Sequence, residues 1–174
     1  MSYHLEKTIV LVGLMGAGKS SVGRRLAKRL KLPFVDIDEA IESEQKYTVT
    51  EIFEKVGEEK FRQFERNKIA SELEKEPHII ATGGGAFIND ETRALIKEKA
   101  ISIWLKPDFE VLVERVSRKK TRPLLEKGDK AEIMKKLMDE RYPIYEQADF
   151  MIKSNEGPHN QVVEDIIKKL KINK

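Results

Sequence analysis

With 174 residues, the chain fits a single domain that can bury a core without disulfides. It contains no cysteine, which excludes disulfides and cysteine-based zinc sites and is typical of a reducing compartment. Its 33 basic and 30 acidic residues leave a net charge of +3, a smaller excess than nucleic-acid binders usually carry and one that suits an enzyme with anionic ligands.

The N-terminal residues predict neither export nor membrane insertion. Residues 1–7 lack the apolar stretch of a signal peptide. The most apolar run, residues 8–18, is interrupted by glycines and is too short to span a bilayer. We therefore expect a cytoplasmic protein that makes no contact with a membrane.

From residue 8 onward, the hydrophobic pattern alternates between the strand and the helix period. Short β-branched or apolar runs predict strands over residues 8–12, 34–37, 78–81, 101–105 and 150–152. Helical spacing predicts helices over residues 20–30, 39–75 in several pieces, 89–99, 107–116 and 129–145, and a closing helix that begins at Pro158. Short strands separated by helices favour an α/β fold whose parallel sheet is covered on both faces.

Capping residues support several of these boundaries. Thr48 and Glu51 have the spacing of a capping box, and Gly57 is placed to end the same helix. Asn89 and Asp129 are placed to cap the helices that follow them. Residues 117–128 carry no such signals and are polar, basic and aperiodic, so we predict a mobile loop there.

The sequence GLMGAGKS at residues 13–20 matches the pattern G-x-x-x-x-G-K-[ST] between a predicted strand and a predicted helix. Glycines let backbone N–H groups converge on phosphates, and the positive end of the helix faces the same anions. Lys19 is predicted to reach the β- and γ-phosphates, and the Ser20 hydroxyl to bind Mg²⁺. A chance match is expected in roughly one per cent or less of chains of this length. The predicted ATP contacts are Gly13, Gly16, Ala17, Gly18, Lys19, Ser20 and Ser21.

Two carboxylates lie at the end of the second predicted strand. Strand alternation would place Asp36 and Asp38 on one face at the carboxyl end of the sheet, where ligands of open α/β folds bind. One can then serve Mg²⁺ and the other an acceptor hydroxyl. The alternative is a plain turn in which Asp38 caps the next helix. The phosphate loop favours the functional interpretation because its metal requires a carboxylate.

Further polar residues are candidates for the acceptor side. Residues 83–85 are three glycines, which fit either a flexible turn or a backbone that approaches an anion closely. Arg62 and Glu65 are three residues apart on a predicted helix and share a face, although Arg62 equally fits a surface pair with Glu58. Taken alone, Arg62 and Arg141 fit solvated surface positions.

The most basic stretch runs from Arg115 to Arg122. It fits a solvated charge run, a lid that brings arginine to the transferring phosphate, or a nucleic-acid contact. The absence of interleaved aromatic residues disfavours single-strand binding.

Taken together, these residues predict an ATP-dependent kinase of a small anionic polyol. The alternatives are another metabolite or nucleotide kinase, and a P-loop binding module or nucleic-acid ATPase.

Taken together, the motifs resemble the shikimate kinase family over nearly the whole chain. The resemblance rests on six segments: GLMGAGKS at residues 13–20, Asp36-Ile-Asp38, GEEKFRQFE at residues 57–65, Thr82 with the three glycines, Arg122-Pro-Leu-Leu, and Glu140-Arg141-Tyr-Pro-x-Tyr145. It implies a P-loop NTPase three-layer sandwich with a five-stranded parallel sheet of order 2-3-1-4-5. A substrate-binding subdomain at about residues 38–75 and a lid at about residues 116–128 would complete a single domain.

The family resemblance also implies a reaction and a pathway. The enzyme would transfer the γ-phosphate of ATP to the 3-hydroxyl of shikimate, giving shikimate 3-phosphate and ADP, within aromatic amino-acid biosynthesis. ATP and shikimate are then the expected small-molecule partners, Mg²⁺ is the expected cofactor, and the protein is expected to be a monomer.

The resemblance assigns the acceptor residues in turn. Arg62 and Arg141 would grip the shikimate carboxylate, which suits the bidentate fork of arginine. Asp38 would bind the ring hydroxyls as the candidate base, and Glu65 would support Arg62. Residues Gly83, Gly84 and Gly85 would line the same pocket.

On the nucleotide side, the resemblance assigns Asp36 to Mg²⁺, through water. Arg122 would close over the γ-phosphate, and Arg115 would flank the adenine. The segment Asn155–Pro158 would lie near the adenine as well, with Pro158 as a contact.

Overall fold

The computed structural model describes residues 5–118, 129–155 and 159–171. Within these residues the strands form one parallel sheet in the order β2-β3-β1-β4-β5, as the family resemblance implied. The strand bounds are β1 Thr8–Val12, β2 Phe34–Asp36, β3 Ile79–Ala81, β4 Ala100–Leu105 and β5 Phe150–Ile152. The predicted α/β architecture is therefore confirmed.

Helices cover the sheet on both faces. All five residues of β1 and all three of β3 are buried, and successive strand residues point to opposite faces, so neither face of these central strands meets water. The helices are α1 Lys19–Leu30, α2 Ile37–Gln45, α3 Val49–Val56, α4 Glu58–Leu73, α5 Asp90–Lys99, α6 Phe109–Ser117, α7 Lys130–Tyr145 and α8 His159–Lys169, with a short 3₁₀ helix over Ala86–Ile88.

The predicted helix caps are present. The Thr48 hydroxyl accepts from the Glu51 N–H at 3.1 Å, and the Glu51 carboxylate accepts from the Thr48 N–H at 3.2 Å, which completes the capping box. Gly57 separates α3 from α4 at φ +87°, a backbone conformation that favours glycine. Asn89 and Asp129 each accept hydrogen bonds from the first turn of the helix that they precede.

The end of β2 differs from the prediction. The strand ends at Asp36, whose side chain accepts a hydrogen bond from the Glu39 N–H at 3.1 Å. This bond caps α2, which begins at Ile37. Asp38 therefore lies in the first turn of a helix and not on the strand, and the N-cap residue is Asp36 and not Asp38. The prediction failed because the buried residue Ile37 fits the apolar pattern of a strand and of a helix equally well.

Within the described parts of the chain, no helix combines the length and the apolar character that crossing a bilayer requires.

Candidate active site

The carboxyl ends of the parallel strands meet at one edge of the sheet, and the loops that leave them enclose a cavity of about 300 Å³. The loop after β1, the start of α2 after β2 and the loop after β3 each contribute to its walls. The cavity is lined by Met15, Gly16, Ala17, Gly18, Lys19, Ser20, Ser21, Asp36, Asp38, Thr82, Gly83, Gly84, Arg115 and Arg118. The structure therefore brings the predicted nucleotide side and part of the predicted acceptor side to one site.

Between β1 and α1, the backbone of residues 13–18 forms a turn that only glycine fits at its first position. Gly13 has φ +146°, and a Cβ atom there would lie 2.7 Å from the Leu105 carbonyl oxygen of β4. The loop consequently packs directly on the neighbouring strand and leads into α1, whose first residues line the cavity.

Lys19 is the first residue of α1 and is only 8% exposed. Its ammonium donates to the carbonyl oxygens of Gly13 at 2.5 Å and Leu14 at 3.0 Å. These two bonds fold the long side chain back over the loop and hold its charge against the cavity wall. A fixed cation beside a glycine-rich loop that leads into a helix N-terminus is an arrangement suited to a polyphosphate.

Ser20 and Asp36 are directly hydrogen-bonded, since the Ser20 hydroxyl donates to the Asp36 carboxylate. The second oxygen of Asp36 caps α2, so one side chain ties the phosphate loop to the end of β2. Both residues offer oxygen ligands, which Mg²⁺ prefers. Among the described residues there is no group of three His, Asp or Glu side chains able to hold a metal. Two protein oxygens suit Mg²⁺, which commonly keeps water ligands and takes others from substrate phosphates.

The three glycines after β3 have no side chains, so charged side chains from other elements lie close to their backbone. A Cβ atom on Gly83 would lie 2.7 Å from both the Asp38 Oδ1 atom and the Glu65 Oε2 atom, and a Cβ atom on Gly85 would overlap the Arg62 guanidinium. These contacts favour the interpretation that the backbone of the three glycines approaches charged groups closely, over that of a flexible turn. They also bring Asp38 to the predicted acceptor side from its unexpected place on a helix.

Arg62 and Glu65 form an ion pair at 3.0 Å on one face of α4, and the exposed Glu58 binds the same guanidinium at 3.2 Å. Both expected pairings of Arg62 are thus present together. Glu65 is only 2% exposed, and within the described residues its Oε2 atom has no hydrogen-bond partner. Burial raises the pKa of the Glu65 carboxyl above its usual range, and the Arg62 charge offsets this only in part.

Replacing Glu65 by Gln should make the stability of the folded protein less dependent on pH. The wild-type folded state keeps the Glu65 proton at pH values where the unfolded chain has lost it, because an unfolded Glu titrates at about pH 4.3. The wild-type free energy of unfolding therefore decreases as the pH rises from the unfolded pKa to the raised folded pKa of Glu65. The glutamine side chain does not titrate, so the free energy of unfolding of the variant does not show this decrease. Urea unfolding between pH 4 and 8 measures the difference, which should grow with pH in favour of Glu65→Gln.

Glu58→Gln is the matched control, because it removes the exposed carboxylate that binds the same arginine. Its stability curve should differ less from that of the wild type across this range, because of the two carboxylates only Glu65 is buried. A Glu65→Gln curve parallel to that of the wild type would contradict the raised pKa.

Arg141 of α7 reaches the glycine loop from the other side. Its Nη1 atom donates to the Gly84 carbonyl oxygen at 3.1 Å. Arg141 on α7 and Arg62 on α4 thus both contact the glycine loop. Neither arginine is merely a solvated surface residue, since both are only partly exposed.

Arg115 of α6 lies between the phosphate loop and the segment after β5. Its Nη1 atom donates to the Gly16 carbonyl at 3.0 Å and its Nη2 atom to the Ser154 carbonyl at 2.9 Å. Ser154 in turn donates from its hydroxyl to the Ala17 carbonyl at 2.9 Å. The predicted nucleotide residue Arg115 is thus anchored at the cavity and bonded to Ser154, which precedes the predicted adenine segment. The predicted contacts Arg122 and Pro158 lie outside the described residues, as does most of the predicted lid.

A model of the shikimate kinase family matches residues 15–171, a range that includes each described strand and helix after β1. The chain belongs to the shikimate kinase family. Curated shikimate kinases align with 95% of the chain. The shikimate kinase of Caulobacter vibrioides is 52% identical over 165 residues, which is 95% of this chain and 82% of that protein. The shikimate kinase of Bradyrhizobium diazoefficiens is 50% identical over 95% of this chain and 80% of its own length.

Solved structures of the family agree in fold. A shikimate kinase from Acinetobacter baumannii in complex with shikimate superposes with a TM-score of 0.92 at 34% identity, covering 95% of this chain and 93% of that one. More distant kinases share the fold alone. A gluconokinase from Sinorhizobium meliloti is 17% identical with a TM-score of 0.62 over 95% of this chain and 91% of that one.

Three cavity residues were not predicted as site residues, namely Met15, Thr82 and Arg118. Arg118 follows Arg115 by three residues, so helical spacing through the basic stretch would have placed both on one face. Thr82 precedes the glycines, and its hydroxyl donates to the Leu11 carbonyl at 2.8 Å. Met15 is a variable position of the phosphate loop, and its sequence carries no signal of its role.

Proposed function

We propose that this member of the shikimate kinase family transfers the γ-phosphate of ATP to the 3-hydroxyl of shikimate, giving shikimate 3-phosphate and ADP. One observation carries the proposal. The phosphate loop shares its cavity with a triple-glycine loop that is contacted by two arginines and two carboxylates. A polyphosphate fits the first loop, and a small acid with several hydroxyls fits the second.

At the acceptor end, Arg62 and Arg141 are proposed to bind the shikimate carboxylate. Their guanidinium groups approach the glycine loop from α4 and α7, so they can hold an anion between them. Glu65 is proposed to orient Arg62 through their ion pair. Residues 83–85 would contribute backbone contacts to the same substrate.

Asp38 is proposed to bind the acceptor hydroxyl and to receive its proton as phosphoryl transfer proceeds. Its position beside Gly83 and on the cavity wall places a carboxylate between the glycine loop and the phosphate loop. Such transfer passes through a loose transition state, so the protein contributes mainly by positioning the two reactants and by stabilising charge.

At the nucleotide end, the loop backbone, Lys19, Ser20 and Ser21 are proposed to bind the phosphates of ATP. Ser20 would ligate Mg²⁺ directly and Asp36 would hold it through water, and the bound ion would neutralise charge on the β- and γ-oxygens. Arg115 would flank the adenine. Arg122, outside the described residues, stays the predicted partner of the γ-phosphate.

The proposed setting is a cytoplasmic monomer in aromatic amino-acid biosynthesis. We propose that the whole chain is one domain, with a substrate-binding subdomain at about residues 38–75 and a lid at about residues 116–128. The near balance of charge supports small-molecule partners over nucleic acid.

Acceptor selectivity tests the proposed reaction. We expect shikimate to stimulate ADP release far above the rate without acceptor, because two arginines and a carboxylate match its carboxylate and hydroxyls. Gluconate has a carboxylate and hydroxyls but carries them on a flexible open chain, and AMP has no carboxylate, so both should stimulate ADP release far less. A coupled ADP-release assay measures all three against a reaction without acceptor. Equal turnover with gluconate or AMP would refute the assignment, and stimulation by DNA or RNA that falls with salt would favour a nucleic-acid ATPase.

A further inference from the structure

Tyr145, the last residue of α7, places its hydroxyl in the acceptor region although its ring belongs to the core. The side chain is fully buried, and its hydroxyl donates to the Gly84 carbonyl oxygen at 2.5 Å. Arg141 donates to the same oxygen at 3.1 Å. The two residues are four apart and therefore share one face of the helix. One carbonyl is thus held by two donors from consecutive turns of α7.

Gly84 occupies the boundary between the two halves of the cavity. A Cβ atom there would lie 3.4 Å from the Met15 amide nitrogen of the phosphate loop and 3.7 Å from the Arg141 Nη1 atom. Because a peptide unit is planar and trans, the direction of the Gly84 carbonyl also sets the direction of the Gly85 N–H group. Fixing this one oxygen therefore fixes the backbone that lies between Arg62 and Arg141.

The ring of Tyr145 is held by other aromatic rings. Its centroid lies 6.4 Å from that of Phe87 in a stacked arrangement and 5.8 Å from that of Trp104. A buried aromatic side chain has few rotamers to choose from, so its hydroxyl is a rigid donor, unlike the long side chain of arginine. Burial raises the pKa of the Tyr145 phenol, although Arg141 lowers it in part, so the hydroxyl stays protonated near neutral pH.

We propose that Tyr145 is a positioning residue for the acceptor, which acts by sharing the Gly84 carbonyl with Arg141. The inference rests on the proposed function, since it takes Arg141 as a ligand of the shikimate carboxylate. With the Tyr145 hydroxyl in place, the carbonyl offers Arg141 an acceptor at a fixed point, and one guanidinium edge is anchored there. Without it, the carbonyl and the guanidinium can move together, and shikimate must restore their arrangement when it binds.

Tyr145→Phe tests the proposal, because it removes only the hydroxyl and leaves the Gly84 carbonyl bonded to Arg141, so the protein should fold. We expect the shikimate KM and the calorimetric Kd to rise about tenfold, which corresponds to about 1.4 kcal/mol. The value of kcat and the KM for ATP should each stay within about twofold, because Tyr145 touches neither reacting group. Loss of core packing alone would lower the melting temperature without this selective effect on shikimate.

Tyr142→Phe is the matched control. Its hydroxyl is also buried and lies on the same helix, but it has no hydrogen-bond partner within the described part of the chain. Shikimate affinity should be unchanged in this variant. An equal loss of affinity in both variants would overturn the proposal.

A double-mutant cycle shows whether Tyr145 acts through Arg141. In an Arg141→Ala background, Tyr145→Phe should reduce shikimate affinity by less than about twofold, since the group that it positions is gone. Additive losses, or an unchanged Kd in the single variant, would overturn the positioning role while the wild type still bound shikimate. A wild type that neither binds nor phosphorylates shikimate would instead refute the proposed function together with this inference.

Discussion

Lys19→Met is expected to lower kcat by roughly 10³- to 10⁵-fold, the range associated with a cation that stabilises a transferring phosphoryl group. Lys19 is the buried cation of the phosphate loop, and methionine keeps most of its length while it removes the charge. In the proposed reaction, negative charge on the β- and γ-phosphates would then lack a fixed partner. Steady-state ADP release with saturating shikimate and ATP measures the effect.

The folded state should survive this change. Methionine leaves the carbonyl oxygens of Gly13 and Leu14 without the Lys19 donor, which costs about 1–3 kcal/mol of stability. Circular dichroism and thermal unfolding check that the variant is folded. Lys28→Met, an exposed position of the same helix, is the matched control and should keep normal activity. Near-normal turnover in folded Lys19→Met would remove Lys19 from the mechanism.

Asp38→Asn is expected to lower kcat by roughly 10²- to 10⁴-fold, the usual contribution of a general base. Asparagine has nearly the same shape, so the approach of the side chain to Gly83 is preserved while the basic oxygen is lost. Affinity for ADP should change little, because the phosphate loop is untouched. Kinetics with shikimate and calorimetric titration of ADP separate the two effects.

Glu39→Gln is the control for Asp38→Asn. Glu39 follows in the same first turn of α2, but its side chain is exposed and pairs with Arg24 at 2.5 Å on the surface. It should leave kcat unchanged. If Asp38→Asn instead raised only the KM for shikimate and kept kcat, Asp38 would be a binding residue and the proton would leave by another route.

Local patterns predicted most of the sheet and the helix ends. The phosphate loop was predicted because residues 13–20 carry its whole pattern within eight positions, between an apolar strand run and a helical one. The capping box of Thr48 and Glu51 and the break at Gly57 were predicted for the same reason, since they depend on contacts within a few residues.

The wrong prediction at Asp38 came from a competition that local patterns do not decide. Asp36 can extend a strand or cap a helix, and in the fold its carboxylate does the second while it also binds Ser20. The position of Ser20 relative to Asp36 depends on how β2 is placed in the sheet. Asp38 lines the cavity, as predicted, but it does so from the first turn of α2 and not from the end of β2.

Contacts between distant segments lay beyond the sequence patterns altogether. Arg62 and Glu65 share a helix face by spacing, whereas the approach of Arg62 to Gly85 and of Arg141 to Gly84 depends on how α4 and α7 pack. Tyr145 shows this most clearly. Its apolar ring predicts a core residue, and nothing nearby in sequence indicates that its hydroxyl meets a glycine loop from 61 residues earlier.

The tight fit of the glycine loop has a consequence for the selection of drug resistance. A side chain at position 83 would overlap Asp38 and Glu65, and one at position 85 would overlap Arg62, so any substitution there displaces the groups proposed to hold the acceptor. An inhibitor whose hydrogen bonds go to the backbone of this loop would therefore contact atoms that a mutation cannot displace without also weakening acceptor binding. Escape variants should arise in the exposed rim of the cavity, as at Arg118, and not in the loop itself.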